Sequence, residues 1–111
     1  HVARLMNEAG VTVICSFISP FQKDRELARS IVGEDNFLEV YLATPLSTCE
    51  ERDPHGLYRK ARTGEIKEFT GVNAPYEVPP SPDLSLRTDK MSIAEAVHML
   101  HELLNQRSTI R

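Results

Sequence analysis

Apolar residues recur at helical spacing near both ends of the chain. Near the start they follow an i, i+3, i+4, i+7 pattern, at Val2, Leu5, Met6 and Ala9. Gly10 then stands where a helix commonly ends. Near the other end, Ser92 and Glu95 form a capping box before an apolar face made by Ile93, Ala96, Val97, Leu100, Leu103 and Leu104. Both patterns predict amphipathic helices.

Three shorter apolar runs predict β-strands. The run at 11–17 is rich in β-branched residues and almost continuously apolar, as in a parallel strand covered on both faces. The runs at 37–43 and 84–87 predict a second and a third strand. A sheet of three strands is small, so we expect at least one further strand outside this sequence.

Helix-start signals separate these strands. Ser19 is the expected N-cap of one helix, with Pro20 in the first turn, Gln22 as the capping-box partner and an end at Gly33. Thr44 and Pro45 repeat the signal for a helix through Glu51, and another helical stretch covers 57–62. Strands that alternate with helices indicate an α/β fold with a parallel sheet.

Length and composition indicate one soluble domain with one hydrophobic core. The 111 residues are 41% hydrophobic and 26% charged, and the net charge of −3 disfavours a nucleic-acid partner. No apolar run approaches the roughly 20 residues of a membrane span, and no leader pattern opens the sequence, so we expect a cytoplasmic protein. Cys15 and Cys49 are expected to be buried free thiols.

A basic segment at 52–67 is the first functional candidate. It holds five Lys and Arg against two Asp and Glu, a net charge of +3, so the rest of the chain carries −6. A proline-rich loop follows as far as Pro82. These features favour a lid that closes over phosphates, because guanidinium groups bind phosphate in a bidentate manner. A solvated helix face is the alternative.

Single residues give weaker signals. Ser19 follows a strand and opens a helix, where anions bind, although a plain N-cap explains the pattern better. Phe69 is either a core anchor or a stacking platform for a base. His98 and His101 are expected to be surface residues and not a metal site.

Several motifs, in order along nearly the whole chain, resemble the adenylylsulfate kinase (APS kinase) family. They are Ser-Phe-Ile-Ser-Pro at 16–20, Lys-Asp-Arg at 23–25, Thr-Pro-Leu at 44–46, Arg-Asp-Pro-His-Gly-Leu-Tyr at 52–58, Lys-Ala-Arg at 60–62, Gly-Glu-Ile-Lys at 64–67, Phe-Thr-Gly at 69–71 and Tyr-Glu at 76–77. Only the later part of that family's domain is covered, because its first strand and its glycine-rich phosphate loop have no counterpart here.

The resemblance implies a P-loop kinase-like parallel sheet flanked by helices, incomplete at its N-terminal side. Residues 1–111 would be the C-terminal portion of the domain, with the lid and substrate loop at 52–82. The implied reaction in sulfate assimilation transfers the γ-phosphoryl of Mg-ATP to the 3′-hydroxyl of adenosine 5′-phosphosulfate (APS). The catalytic lysine, the base and the Mg²⁺ ligands are expected upstream, so residues 1–111 alone should be inactive.

The resemblance also implies site residues. Those expected to bind APS are Ile18, Ser19, His55, Glu68 and Phe69, with the Phe69 ring stacked on adenine, and those expected beside the ATP adenine are Arg52 and Met91. Ser19 matches a serine that is phosphorylated in some members. The sequence departs from the common family pattern at four positions. His55 stands where lysine is common, and Glu68 stands where glycine is common. Ala43 replaces a frequent aspartate, and Gln22 replaces a frequent arginine.

The family's partners complete the expectation. They are ATP, APS, a second copy of the chain in a homodimer, and ATP sulfurylase as a fused or associated enzyme. The alternative is a non-catalytic, kinase-like regulatory domain of a sulfurylase that binds the phosphorylated product. Another small-molecule P-loop kinase is a third and weaker reading.

Overall fold

A computed structural model describes the backbone of residues 1–110 and the side chains as far as Arg107. The helices are α1 (Val2–Glu8), α2 (Gln22–Val32), α3 (Leu46–Arg52), α4 (Leu57–Arg62) and α5 (Ile93–Ile110), and the strands are β1 (Val40–Leu42) and β2 (Leu84–Leu86). A single-turn 3₁₀ helix, Glu34–Asn36, precedes β1. The predicted α/β class is confirmed.

The two strands form a parallel pair. Val40 pairs with Leu84, Tyr41 with Ser85 and Leu42 with Leu86. The connection between the strands carries α3 and α4, as the crossover of a parallel pair requires. Both strands are shorter than the apolar runs that predicted them. Because the strands are parallel, the residues that follow β1 and β2 meet at the same edge of the sheet.

The predicted strand at 11–17 is wrong for the described part of the chain, where these residues form no ladder. A strand needs a neighbour that takes up its backbone hydrogen bonds, and no described segment pairs with this one. Its side chains are consequently exposed, with Phe17 at 80%. Cys15 is exposed rather than buried, while Cys49 is half-buried, and both thiols are free.

The described residues bury little apolar surface. Ala61 and Leu86 are the buried hydrophobic residues of the core, and Ile93 on the expected apolar face of α5 is 86% exposed. The Cα radius of gyration is 16.0 Å, against roughly 13 Å for a compact domain of about this length. The expectation of one well-filled core is therefore not met. Neither α5 nor any other described helix has the length and hydropathy of a membrane span.

Two of the predicted helix caps are also wrong. Phe21, not Ser19, precedes α2, and the Gln22 side-chain amide donates to Glu26 at 3.1 Å instead of closing a capping box. Pro45 precedes α3, and the Thr44 hydroxyl contacts Thr88. The ends of α2 at Gly33 and of α4 at Arg62 agree with the sequence patterns.

The capping box of α5 is confirmed. The Glu95 amide donates to Ser92 Oγ at 3.1 Å, and the Ser92 amide donates to Glu95 Oε2 at 2.8 Å. Both bonds lie within four consecutive residues, so the local sequence suffices to specify them.

Replacing Ser92 with Ala should lower the free energy of unfolding by about 1 kcal/mol, because an N-terminal amide of α5 loses its acceptor. Urea denaturation followed by circular dichroism measures the change. Ser47→Ala within α3 is the matched control, since that exposed hydroxyl has no described hydrogen bond. An equal loss in the two variants would contradict the capping role.

Candidate functional site

Two threonines join the carboxyl ends of the strands. Thr44 follows β1 and Thr88 follows β2, and their hydroxyl oxygens lie 2.6 Å apart. The Thr88 amide donates to Thr44 Oγ1 at 3.0 Å. Arg52, at the end of α3, donates to the hydroxyl and the carbonyl of Thr88, each at 2.9 Å. Ligands of open parallel sheets bind beyond this edge, so the basic segment begins at the expected place.

An ion pair orders the next turn. Arg87 donates to both carboxylate oxygens of Asp89, from Nε at 2.8 Å and from Nη2 at 2.6 Å. These hydrogen bonds hold the pKa of Asp89 at about 2, well below its ordinary value. The half-buried Met91 follows in the same turn, which places it close in sequence to the Thr88 that Arg52 contacts.

Asp53 caps α4. Its carboxylate accepts hydrogen bonds from the amides of Tyr58 at 3.0 Å and Arg59 at 3.1 Å. Desolvation acts to raise the pKa of Asp53, but the backbone amides of Tyr58, Arg59 and Leu57 outweigh it, so the net pKa is lowered. The exposed His55 lies in the turn that this cap closes, and Gly56 has the left-handed φ of 67° that the turn requires.

The basic segment is only partly neutralised. Arg62 forms a two-point ion pair with Glu50, whose pKa is lowered by that hydrogen bond. Arg52 is engaged with Thr88. The segment has three other cations, Arg59, Lys60 and Lys67. All three are exposed, and none forms an ion pair among the described contacts. Three positive charges therefore face solvent on and beside α4.

Phe69 belongs to a tight turn held by Asn73. The Phe69 carbonyl accepts three backbone amides at 3.1 Å, and its own amide donates to Asn73 Oδ1. The Asn73 side-chain amide donates to the carbonyl of Ile66 at 2.9 Å. The half-buried Phe69 ring meets the Tyr58 ring edge-on, with centroids 4.9 Å apart. The ring is thus fixed against the basic helix α4.

Gly71 brings this turn against α3. Its φ is 89°, and a Cβ built there would lie 3.1 Å from Leu46 Cδ1. A side chain at this position would be strained and would also crowd the first residue of α3. Glycine is therefore required for the close approach of the turn to α3.

Ser19 has a φ of 43°, in the left-handed region that non-glycine residues seldom adopt. Its carbonyl accepts a hydrogen bond from Arg25 Nη1 at 2.6 Å, and the neighbouring Pro20 carbonyl accepts the amide of Glu77 at 2.8 Å. Ser19 is half-buried, while Ile18 is 64% exposed. The segment after the Phe69 turn is thus attached to the Ser19 segment.

Two cavities in the described part of the chain lie elsewhere. The larger, of about 420 Å³, is lined by Gln22, Glu26, Arg29, Glu34, Glu39, Pro80, Ser81 and Asp83. The smaller, of about 140 Å³, is lined by Asn7, Thr12, Val13, Asp35, Asn36, Leu38, Leu104 and Arg107. Neither is lined by Ser19 or Phe69, and no direct contact between those two residues is described.

Comparison with known proteins identifies the family. The family model described as adenylylsulphate kinase matches residues 1–87. The chain belongs to the adenylylsulphate kinase family.

Members of the adenylylsulphate kinase family match almost the whole chain. The adenylyl-sulfate kinase of Pseudomonas entomophila is 47% identical over all 111 residues, which cover 53% of its length. The bifunctional enzyme NodQ of Rhizobium tropici is 49% identical over 96% of this chain and only 17% of its own length. The chain thus spans about half the length of the monofunctional relative.

A solved structure agrees with the fold. The structure of the Mycobacterium tuberculosis APS kinase CysC in complex with AMPPNP and APS superimposes with a TM-score of 0.88 at 46% identity. The match covers 95% of this chain and 61% of CysC. The expected kinase-like fold, present in part, is therefore confirmed.

The site residues expected from the family motifs form two groups. One is Arg52 with the turn that leads to Met91. The other is the Ile18–Ser19 segment, which is joined through residue 77 to the chain that follows Phe69. His55 lies within the basic segment, and Glu68 directly follows that segment. Both residues are exposed.

Sequence reasoning missed three residues that hold these groups in place. They are Arg25, Asp53 and Asn73. An Asp-Pro-X-Gly sequence before a helix could have revealed Asp53, since such turns place a carboxylate over helix amides. Asn73, two residues after Gly71, carried a similar turn signal. Arg25 carried no turn signal, and two of its partners, Glu77 and Glu39, are distant along the chain.

Replacing Asp53 with Ala should speed hydrogen exchange at the Tyr58 and Arg59 amides several-fold, because both lose their acceptor. Because the pKa of Asp53 is lowered on folding, the protection should be complete above the ordinary value of 3.8 and be lost as the pH falls through the lowered pKa. Exchange followed by NMR measures both effects. Asp24→Ala in α2 makes the same charge change and should leave these amides unaffected. Unchanged exchange in Asp53→Ala would exclude the cap.

Proposed function

We propose that the protein carrying this chain is an adenylylsulfate kinase, which transfers the γ-phosphoryl of ATP to the 3′-hydroxyl of APS and yields 3′-phosphoadenosine 5′-phosphosulfate. The observation that carries the proposal is the similarity to CysC, whose structure holds AMPPNP and APS, over 95% of this chain at 46% identity. The site geometry agrees with it, because two anionic nucleotides need a cationic cover.

The substrate end would be formed by the Ile18–Ser19 segment and by the Phe69 turn. The Phe69 ring has an aromatic neighbour at Tyr58 and is only half-buried, so a face can stack on an adenine. Glu68 precedes it and would border the same base. The Ser19 hydroxyl would be a phosphorylation position beside the transferred group, as a side reaction and not an obligatory intermediate.

The donor end would lie at the carboxyl edge of the sheet. Arg52 is fixed there by Thr88, so its guanidinium and the main chain near Met91 would border the ATP adenine. The exposed Arg59, Lys60 and Lys67 would neutralise phosphate and sulfate charges when the segment 52–82 closes. Phosphoryl transfer depends on such positioning and charge stabilisation.

Among residues 1–107, no cluster of three His, Cys, Asp or Glu side chains suited to a metal is present. The phosphate loop, the catalytic lysine, the base and the Mg²⁺ ligands would be supplied by other parts of the protein. A cytoplasmic homodimer, with ATP sulfurylase fused or associated, completes the proposal.

The full-length protein, incubated with ATP and APS, should release ADP and form the 3′-phosphorylated product in equal amounts. Coupled ADP detection and anion-exchange chromatography measure the two products. Adenosine 5′-monophosphate in place of APS is the control for ATP hydrolysis. Tight binding of the phosphorylated product without turnover would instead identify the regulatory domain of a sulfurylase.

Residues 1–111 alone should show no turnover above a blank without enzyme. This segment provides the lid and substrate residues but no phosphate loop, so the electrostatic stabilisation of the transferred group is missing. The ADP-release assay with the purified segment tests this expectation. Turnover by the segment would refute the placement of the catalytic groups elsewhere.

Replacing His55 with Lys should leave the reaction type unchanged and tighten APS binding about two- to fivefold at pH 7.5, the size of one exposed charge interaction. Lysine places a constant positive charge at this position. Isothermal titration with APS measures the affinity. The control His101→Lys adds the same charge on the exposed side of α5 and should have no effect. Equal or weaker affinity in His55→Lys would contradict a substrate contact there.

A further inference from the structure

Arg25 is the one buried charged residue in the described part of the chain. It lies in the first turns of α2 and is 8% exposed. Arginine is almost never buried unless its guanidinium is paired. Its burial therefore indicates a specific set of partners.

The partners of Arg25 come from three separate segments. Nη1 donates to the Ser19 carbonyl at 2.6 Å, and Nη2 donates to the Glu77 carbonyl and to Gln22 Oε1, each at 2.7 Å. Nε lies 3.6 Å from Glu39 Oε2, an ion pair whose two side chains are both largely buried. The guanidinium carbon also lies 5.9 Å from the centre of the Tyr76 ring.

The first of these bonds acts on a strained residue. A positive φ is uncommon for a non-glycine residue and persists only where surrounding contacts hold it. Ser19 has a φ of 43°. Its carbonyl accepts a hydrogen bond from Arg25 Nη1, and the carbonyl of the next residue, Pro20, accepts one from the Glu77 amide. Strain of this kind is concentrated at functional sites.

The second bond connects the two halves of the proposed substrate site. The carbonyl of Glu77 follows the Phe69 turn along the chain, and the same guanidinium binds it and Ser19. The guanidinium holds its donors in a fixed plane, whereas a lysine ammonium is a compact charge on a flexible stem. The Ser19 segment and the Tyr76–Glu77 segment are thus held together by this side chain and by the hydrogen bond from the Glu77 amide to the Pro20 carbonyl.

We propose that Arg25 is a positioning residue for APS: its guanidinium, bound to the carbonyls of Ser19 and Glu77, holds the Ser19 segment of the proposed substrate site in place against the chain that follows the Phe69 turn. The proposal rests on the function proposed above. Arg25 does not itself touch the substrate. It acts through the backbone of Ser19 and of Glu77.

Arg29 provides a matched comparison on the same helix. It is one turn further along α2, with a side chain 21% exposed, and it pairs with Glu34 at 3.1 Å and Asp83 at 3.3 Å. Its guanidinium carbon lies 4.8 Å from the centre of the Phe37 ring. None of its described contacts reaches Ser19 or Glu77. A purely structural role of α2 arginines predicts similar effects at both positions.

The test uses the full-length protein with Arg25→Lys and Arg29→Lys. Arg25→Lys should raise the KM for APS about tenfold, the size expected for loss of a hydrogen bond from a charged donor, with the KM for ATP unchanged. Arg29→Lys should leave both KM values unchanged. The melting temperatures of the two variants should be similar. An unchanged KM for APS in Arg25→Lys, or a much larger loss of melting temperature than in Arg29→Lys, would overturn the proposal.

Chemical rescue separates positioning from stability. In Arg25→Ala, guanidinium at a non-denaturing concentration should restore the KM for APS in part, because the ion can occupy the space that the side chain has left. Arg29→Ala should show no such restoration. Rescue of neither variant, or of both equally, would count against the positioning role.

Failure of the proposed function gives a different result. If the wild-type protein does not phosphorylate APS, titration with APS and with the phosphorylated product still tests Arg25. Affinity that falls in Arg25→Lys and not in Arg29→Lys would support the positioning role in a binding domain. Equal affinity in both variants would overturn it.

Discussion

The buried guanidinium of Arg25 is the interaction on which the organisation of the candidate site depends. Backbone carbonyls are ordinarily satisfied within helices and sheets, but those of Ser19 and Glu77 lie in irregular segments and need another donor. A side chain with donors in a fixed plane meets that need and brings the two segments together. The carboxylate of Glu39 compensates the positive charge of Arg25. Arg25 Nε is buried and has no hydrogen-bond acceptor among the described residues.

The described chain combines a well-bonded edge with poorly covered apolar surface. At the edge, Thr44, Thr88 and Arg52 satisfy one another through four hydrogen bonds. In contrast, the apolar segment 11–17 and the α5 residues Ile93 and Val97 are exposed to solvent. The chain spans about half the length of the adenylyl-sulfate kinase of Pseudomonas entomophila. Polar contacts, more than a hydrophobic core, fix the geometry of the basic segment.

How much the sequence could predict depended on the range of the interactions. The capping box of Ser92 and Glu95 and the span of α4 were predictable, because neighbours along the chain specify them. Thr44 carried an equally good capping signal, yet it contacts Thr88, and no local pattern contains that partner. The strand at 11–17 had the right composition but no described neighbour. The candidate site residues came from family motifs. Asn73 carried a turn signal, whereas two partners of Arg25, Glu77 and Glu39, are distant along the chain and belong to no local pattern.

The Arg87–Asp89 pair gives the edge of the sheet a constant charge distribution. With the pKa of Asp89 at about 2, this carboxylate stays ionised through any acidification that a living cell experiences. Arg87 remains protonated over the same range, because Asp89 raises its pKa. The turn between β2 and α5 therefore keeps both charges of this pair, and with them its shape, through any such change in acidity.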